Sequence, residues 1–244
     1  DELSDQMLKF MSDNQVDTRY ITTVAGSTIG LYLISLVNGE RTFSYWRNKS
    51  AATFLGQNVD DVGNAMMKQD MIYFSGITLA ILDQNSRKNL FSCLKSARRA
   101  GKKIAFDPNL RPKLWNDKKE MCDVIMAGAN LSDIILPSFE DEATWFSDAD
   151  PMSTLARYQN VGAETVVVKN AGDPISFWSQ HGTGTYLVES VEKIIDSTAA
   201  GDSFNAEILV GLLREIPLAD AINNAANLAK KVLMGQGALV KISI

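Results

Sequence analysis

Four short runs of apolar and β-branched residues recur along the middle of the chain: Met71 to Phe74, Lys103 to Phe106, Asp133 to Leu136 and Thr165 to Val168. None alternates polar with apolar, which is the pattern of strands buried on both faces. Between them lie stretches with helical start and stop signals. Ser86 to Ala100 has Ser86 as its expected N-cap and Gly101 as its stop, and Pro151 to Gln159 begins on a proline. The alternation predicts an α/β fold with a mostly parallel sheet flanked by helices. Ligands of such sheets sit beyond the carboxyl ends of the strands. Those positions carry Ser75-Gly76, then Asp107-Pro108-Asn109-Leu110-Arg111, then Ser138 to Glu142, then Lys169-Asn170-Ala171-Gly172.

Upstream the pattern changes. Gly30 to Val37 and Glu40 to Trp46 flank Asn38-Gly39, a strong hairpin signal, and predict a small antiparallel flap at about residues 29–48. A two-residue turn would set Val37 against Glu40, Tyr32 against Tyr45 and Gly30 against Arg47. Phe43, Tyr45 and Arg47 would then share a face, with Gly30 leaving room beside the guanidinium. That face suits a hydroxylated anion, although tyrosines filling a sheet and a solvated arginine would give the same pattern. An exposed two-stranded flap also invites pairing with a second copy of the chain, so a homodimer through it is expected.

The densest signal is Asp196-Ser197-Thr198-Ala199-Ala200-Gly201-Asp202-Ser203-Phe204-Asn205, where small residues lead into a helix whose apolar side is marked by Phe204, Ile208 and Leu212. Small residues let the backbone approach a ligand, and the first-turn N–H groups attract an anion. Asp202 projects from the same helix start, placed to accept the proton of an attacking hydroxyl as phosphoryl transfer requires. On spacing alone it is equally a first-turn acid that complements the helix dipole.

Composition narrows the choices. At 244 residues, 45% hydrophobic and 22% charged, the chain can bury one substantial core, and a single domain over 1–244 is expected. No apolar run is long enough to span a bilayer, so no membrane partner is expected. The acidic opening Asp1-Glu2-Leu3-Ser4-Asp5 is unlike a secretory signal, and Cys93 and Cys122 lack metal or disulfide spacing. A cytoplasmic protein is the expectation. A net charge of -5 argues against nucleic acid. The single histidine, His181, sits beside Gly182 in a turn-like stretch and reads as a surface loop residue, which leaves little for His-based metal or triad chemistry.

Asp196 to Asn205 closely resembles the C-terminal signature of the PfkB, or ribokinase-like, carbohydrate kinases, with Ser197 and Glu207 as small departures. Gly30-Leu31-Tyr32, Glu40 to Asn48 and Phe106 to Pro112 look most like the 2-keto-3-deoxygluconate kinases within that family, and the similarity extends over nearly the whole chain. The resemblance implies a ribokinase-like fold, ATP as donor, Mg²⁺ as the phosphate-bridging ion, and a sugar acid phosphorylated at its terminal hydroxyl. It implies Asp202 as the base, Ala199, Ala200 and Gly201 as the backbone anion hole, and Arg111 facing the phosphoryl group. Tyr32, Tyr45 and Arg47 match lid positions that hold the substrate, together with Asp107 and Asn109. Lys169, Gly172, Gly237 and Ala238 match the nucleotide side. The family's Asn-x-x-Glu motif, associated with magnesium, appears here as Ser138-Phe139-Glu140-Asp141, so Ser138 and Asp141 would supply its oxygen ligands. The family's opening strand and Gly-Gly-Asp/Asn segment have no counterpart before the helix expected at Ser4 to Asp13, which predicts a fold without its first strands. Two alternatives stay open: a kinase for a neutral ketose such as fructose, and a nucleotide-binding module without catalysis.

Overall fold

The computed structural model describes residues 1–37 and 40–242, and the side chains of these except residues 34–43. The chain forms two compact units, one of Asp1–Ile72 and Thr78–Lys102, the other of Tyr73–Ile77 and Lys103–Ile244.

The first unit opens with α1 (Glu2–Asp13), capped by the Asp1 carboxylate, which accepts from the Ser4 N–H at 2.9 Å. The expected hairpin follows as β1 (Leu31–Val37) and β2 (Glu40–Trp46). They pair antiparallel with Val37 opposite Glu40 and Tyr32 opposite Tyr45, the anticipated register. The Asn38-Gly39 turn itself, and the Phe43 side chain, lie outside the described residues. Next comes α2 (Val59–Met67), which packs on α4 (Gln84–Arg99). The cap of α4 is Asp83 rather than Ser86: its carboxylate accepts from the Ser86 N–H at 2.7 Å, and Ser86 lies buried in the first turn. A carboxylate three residues upstream offers a stronger acceptor than the serine hydroxyl. Gly101, at φ +82°, ends the helix as expected.

A six-stranded sheet runs in the order β3 (Met71–Ser75), β4 (Lys103–Asp107), β5 (Ile134–Ile135), β6 (Thr165–Val168), β7 (Ile175–Ser179), β8 (Gly182–Tyr186). The pairs β4–β5 and β5–β6 are parallel, as the apolar runs imply, and every residue of β6 is buried. The last two strands turn back antiparallel. They were not anticipated, and His181 sits exposed in their turn. The regular ladder of β5 is shorter than the apolar run because Asp133 completes it with a side chain: its carboxylate accepts from the Ile104 N–H at 2.8 Å while its own N–H donates to the Ile104 carbonyl.

A short helix, α3 (Gly76–Ile81), leaves β3 directly. In the second unit α5 (Lys118–Ala129), α6 (Phe139–Phe146), α7 (Pro151–Asn160), α8 (Ala200–Leu213) and α9 (Leu218–Leu233) complete the fold. The core gathers Phe74 and Phe106, stacked at 4.6 Å between ring centres, with Ile104, Ile135, Val167 and Ile208. Between α6 and α7 lies a buried charged cluster. Arg157 reaches Glu142 at 2.7 Å and Asp148 at 2.5 Å, its guanidinium lies over the Phe146 and Tyr158 rings, and the Tyr158 hydroxyl donates to Glu142 at 3.0 Å. Burial pushes the Glu142 carboxyl up to about 7, against the pull of Arg157 and of the tyrosine hydroxyl. No helix among the described residues is long and apolar enough to cross a membrane.

Candidate active site

The strand ends of the second unit do carry a polar cluster. β4 ends at buried Asp107, and the loop after it holds Asn109 at φ +33° and Arg111 at φ +45°. Left-handed backbone is uncommon outside glycine, and Arg111 is further disfavoured from the helical regions because Pro112 follows it. The loop is pinned from beneath by the Trp115 indole N–H, which donates to the Leu110 carbonyl at 2.7 Å. Seven described non-glycine residues have positive φ, and four of them, Asn109, Arg111, Ala171 and Ala199, fall in the loops flagged by the sequence. Backbone strain concentrated at strand ends marks a site held for use rather than for packing alone.

After β5, Ser138 starts α6 and bridges Lys169 at the end of β6; the Phe139 N–H donates to the Lys169 carbonyl at 2.8 Å, and the Lys169 N–H donates to the Pro137 carbonyl at 2.9 Å. This draws the Ser138–Asp141 segment beside the Lys169 loop. Burial pushes the Asp141 carboxyl up; Arg111 pulls it down, while the charges of Glu140 and Asp107 push it further up. Asp107, Arg111 and Asp141 therefore share one electrostatic environment. Gly172 lies exposed farther along the Lys169 loop.

Helix α8 enters this cluster from the other side. Its N-cap is Ala199 at φ +63°, and no side chain closes that end, so the first-turn N–H groups have no intrahelical acceptor. Asp202 stands exposed in the first turn, with Phe204 and Ile208 buried behind it, as the spacing predicted. Ala200 and Gly201 begin the helix. Upstream, buried Asp196 accepts from the Thr198 N–H at 2.9 Å and from the Gly237 N–H at 3.0 Å. It thus ties the small-residue loop to the turn that carries Gly237 and exposed Ala238.

Two residues that sequence reasoning did not assign complete the network. Asn205 is buried one turn beyond Asp202; its amide donates to Asp107 at 2.8 Å and to the Tyr73 hydroxyl at 3.3 Å, and its carbonyl accepts from the Lys169 ammonium at 2.9 Å. Lys169 lies 3.6 Å from Asp107. The Tyr73 phenol is pushed well above its ordinary value by burial and by the negative charge of Asp107, with a smaller push from Asp202. Asp202 lies one turn before Asn205 on α8, near enough for its charge to reach the Tyr73 phenol. The signal for Asn205 was available: a polar residue three positions from Asp202 lies on the same helical face.

The remaining candidates lie in the first unit. The Tyr32 and Tyr45 rings are 6.3 Å apart, and the Arg47 guanidinium lies 4.4 Å over the Tyr45 ring. A Cβ at Gly30 would come within 3.1 Å of the Arg47 Cβ, so glycine keeps the space beside the arginine as anticipated.

The model of the pfkB family of carbohydrate kinases matches residues 1–242. The chain belongs to this family. Among curated family members, the 2-dehydro-3-deoxygluconokinase of Haemophilus influenzae is 37% identical over 250 residues, covering 100% of this chain and 80% of that protein. The enzyme of the same name from Escherichia coli strain K12 is 36% identical over 247 residues, covering 98% of this chain and 80% of its own length. Among solved structures, the Thermotoga maritima 2-dehydro-3-deoxygluconokinase aligns with a TM-score of 0.81 at 20% identity, covering 98% of this chain and 77% of that one. A fructokinase from Xylella fastidiosa with bound ATP aligns at 0.79 with 22% identity, covering 96% and 76% of the two chains. These structures share the ribokinase-like fold expected from the sequence.

Proposed function

We propose that the chain transfers the γ-phosphoryl group of ATP to the terminal hydroxyl of 2-keto-3-deoxygluconate, giving 2-keto-3-deoxy-6-phosphogluconate and ADP. The observation that carries this is Asp202, exposed in the first turn of a helix with no side-chain cap and one turn before Asn205, which hydrogen-bonds Asp107 and Lys169 at the strand ends. The names of the 36–37% identical relatives supply the substrate.

In this account Asp202 accepts the hydroxyl proton as the oxygen attacks. A carboxylate is a weak base at neutral pH, but in a loose phosphoryl-transfer transition state the proton leaves late, so alignment matters more than basicity. The N–H groups contributed by Ala199, Ala200 and Gly201 stabilise the phosphoryl oxygens, and Arg111 and Lys169 add positive charge. Gly172, Gly237 and Ala238 border the nucleotide. Asp107 and Asn109 orient the sugar.

Mg²⁺ would be held at Ser138 and Asp141. The donor set fits: Asp141 is a partly buried carboxylate pushed up chiefly by burial and less by the charges of Glu140 and Asp107, and a cation would favour its ionised form. Few protein ligands are needed because Mg²⁺ keeps waters and phosphate oxygens in its shell. When bound, the ion neutralises charge between the phosphates.

Arg47 would read the carboxylate of the sugar acid, which a guanidinium can grip with two hydrogen bonds, while Tyr32 and Tyr45 hold the hydroxyls. The opposite face of the hairpin exposes Leu31, Leu33 and Trp46, and a second copy of the chain is proposed to cover it. Light scattering with a Trp46→Lys variant tests that assembly. A neutral-ketose kinase is the second reading, favoured by the 32% identity to a Vibrio alginolyticus fructokinase over 178 residues, 72% of this chain. Measuring ADP release with 2-keto-3-deoxygluconate, fructose and ribose as acceptors separates them. Preference for the acid supports the proposal, and preference for fructose overturns it.

A further inference from the structure

Asn205 offers more than a helix-packing residue would. It is 1% exposed, and its side chain hydrogen-bonds polar side chains from three strands: Asp107 closing β4, Lys169 following β6 and Tyr73 within β3. Only one amide orientation serves these partners, since the carbonyl must meet the ammonium and the amino group must meet the carboxylate. Asn205 therefore bridges, from one side, opposite charges that already pair at 3.6 Å but stay beyond hydrogen-bonding distance.

A lysine ammonium sits on a flexible four-carbon stem and takes the strongest acceptor within reach. Without the amide, the Lys169 ammonium loses its 2.9 Å acceptor, and Asp107, 3.6 Å away, is a charged acceptor onto which it can close. We propose that Asn205 is a positioning residue: it holds the Lys169 ammonium off the Asp107 carboxylate, so that both stay available to the transferring phosphate and the sugar. This rests on the kinase reading above, which gives Lys169 to the nucleotide and Asp107 to the acceptor. The charged and titratable groups around the amide are Asp107, Lys169, Tyr73 and Asp202, with Arg111 and Asp141 beyond Asp107.

The test compares the parent with Asn205→Leu and Asn205→Asp by steady-state kinetics from pH 5.5 to 8, with thermal unfolding of each protein followed alongside. In Asn205→Leu, kcat should fall about 10- to 100-fold and the KM for ATP should rise, while the KM for the sugar acid changes little. The aspartate variant carries the sharper test. Ionised, it loses the N–H donor facing Asp107 and adds a like charge beside it; protonated, it donates an O–H and restores the bond. Its kcat relative to the parent should therefore climb about fivefold or more as pH falls across the range. A merely structural asparagine gives no such recovery. A flat ratio overturns the proposal, and it decides alone if the leucine variant does not fold. If the parent phosphorylates none of the acceptors, the kinase reading fails and calorimetric ATP binding decides the positioning role. An affinity about tenfold weaker in the variants upholds it, and unchanged affinity overturns it.

Discussion

Replacing Gly76 by alanine tests whether the strand-end loop is held by packing. A Cβ at Gly76 would lie 1.8 Å from the Pro108 carbonyl oxygen, 2.9 Å from the Pro108 carbonyl carbon and 2.7 Å from the Ile125 Cδ1. An ordinary carbon–oxygen contact is about 3.3 Å, so backbone must move by roughly 1.5 Å. Pro108 cannot yield alone, because Asp107 before it is held by Asn205 and the Leu110 carbonyl after it is held by Trp115. The strain passes into the loop that carries Asp107, Asn109 and Arg111. Overpacking of this kind costs about 1–3 kcal/mol, which lowers Tm by roughly 2–12 °C in a protein of this size. A displacement of about 1 Å in positioned groups reduces turnover by around 100-fold. Circular-dichroism melts and initial rates of ADP release measure both. A Gly76→Ala protein with Tm within about 1 °C of the parent and kcat within about twofold would refute the argument.

Three further outcomes are expected. Because burial raises the Glu142 carboxyl to about 7, its contribution to stability is complete below the unfolded value near 4.5 and is lost as pH rises through 7; Glu142→Gln should flatten the dependence of Tm on pH over that window, and an unchanged profile would count against it. Asp133→Ala should destabilise the fold by about 1–3 kcal/mol in denaturant titrations, because it strands the buried Ile104 N–H, whereas Asp133→Asn keeps an acceptor and should lose less. Arg47→Ala should raise the KM for the sugar acid by roughly 10- to 100-fold, the loss of about 1.5–3 kcal/mol from a charged hydrogen bond, and leave the KM for ATP nearly unchanged; equal effects on both would remove Arg47 from carboxylate recognition.

The parts of this molecule legible in its sequence are those where one local pattern decides the outcome. The apolar runs became strands, and β1 and β2 pair in the register expected of a two-residue turn, with Tyr32 opposite Tyr45. The passage from Thr198 through Asp202 into Phe204 and Ile208 became an uncapped helix start with its apolar side buried. The β7–β8 hairpin was missed because its signals conflict. Gly184 reads as a strand weakness, yet it stands opposite Phe177 in the ladder, and a Cβ there would lie 2.4 Å from the phenylalanine ring. The glycine makes room for an aromatic that only the pairing reveals. Spacing puts Asn205 on the helical face of Asp202, but its three partners come from distant strands, and Tyr73 is one of them; no spacing along the chain displays those bonds. The Glu142–Arg157–Asp148 cluster is likewise a tertiary fact, since charged residues on helices ordinarily face water.

Whether Asp202 is the base of a sugar-acid kinase is decided by ADP release with 2-keto-3-deoxygluconate, comparing the parent with a folded Asp202→Asn variant. The parent should turn over, and the rate should fall at least about 1000-fold in the variant while ATP binding persists. Turnover retained in the variant, or a folded parent that binds ATP and phosphorylates none of the acceptors, would contradict it.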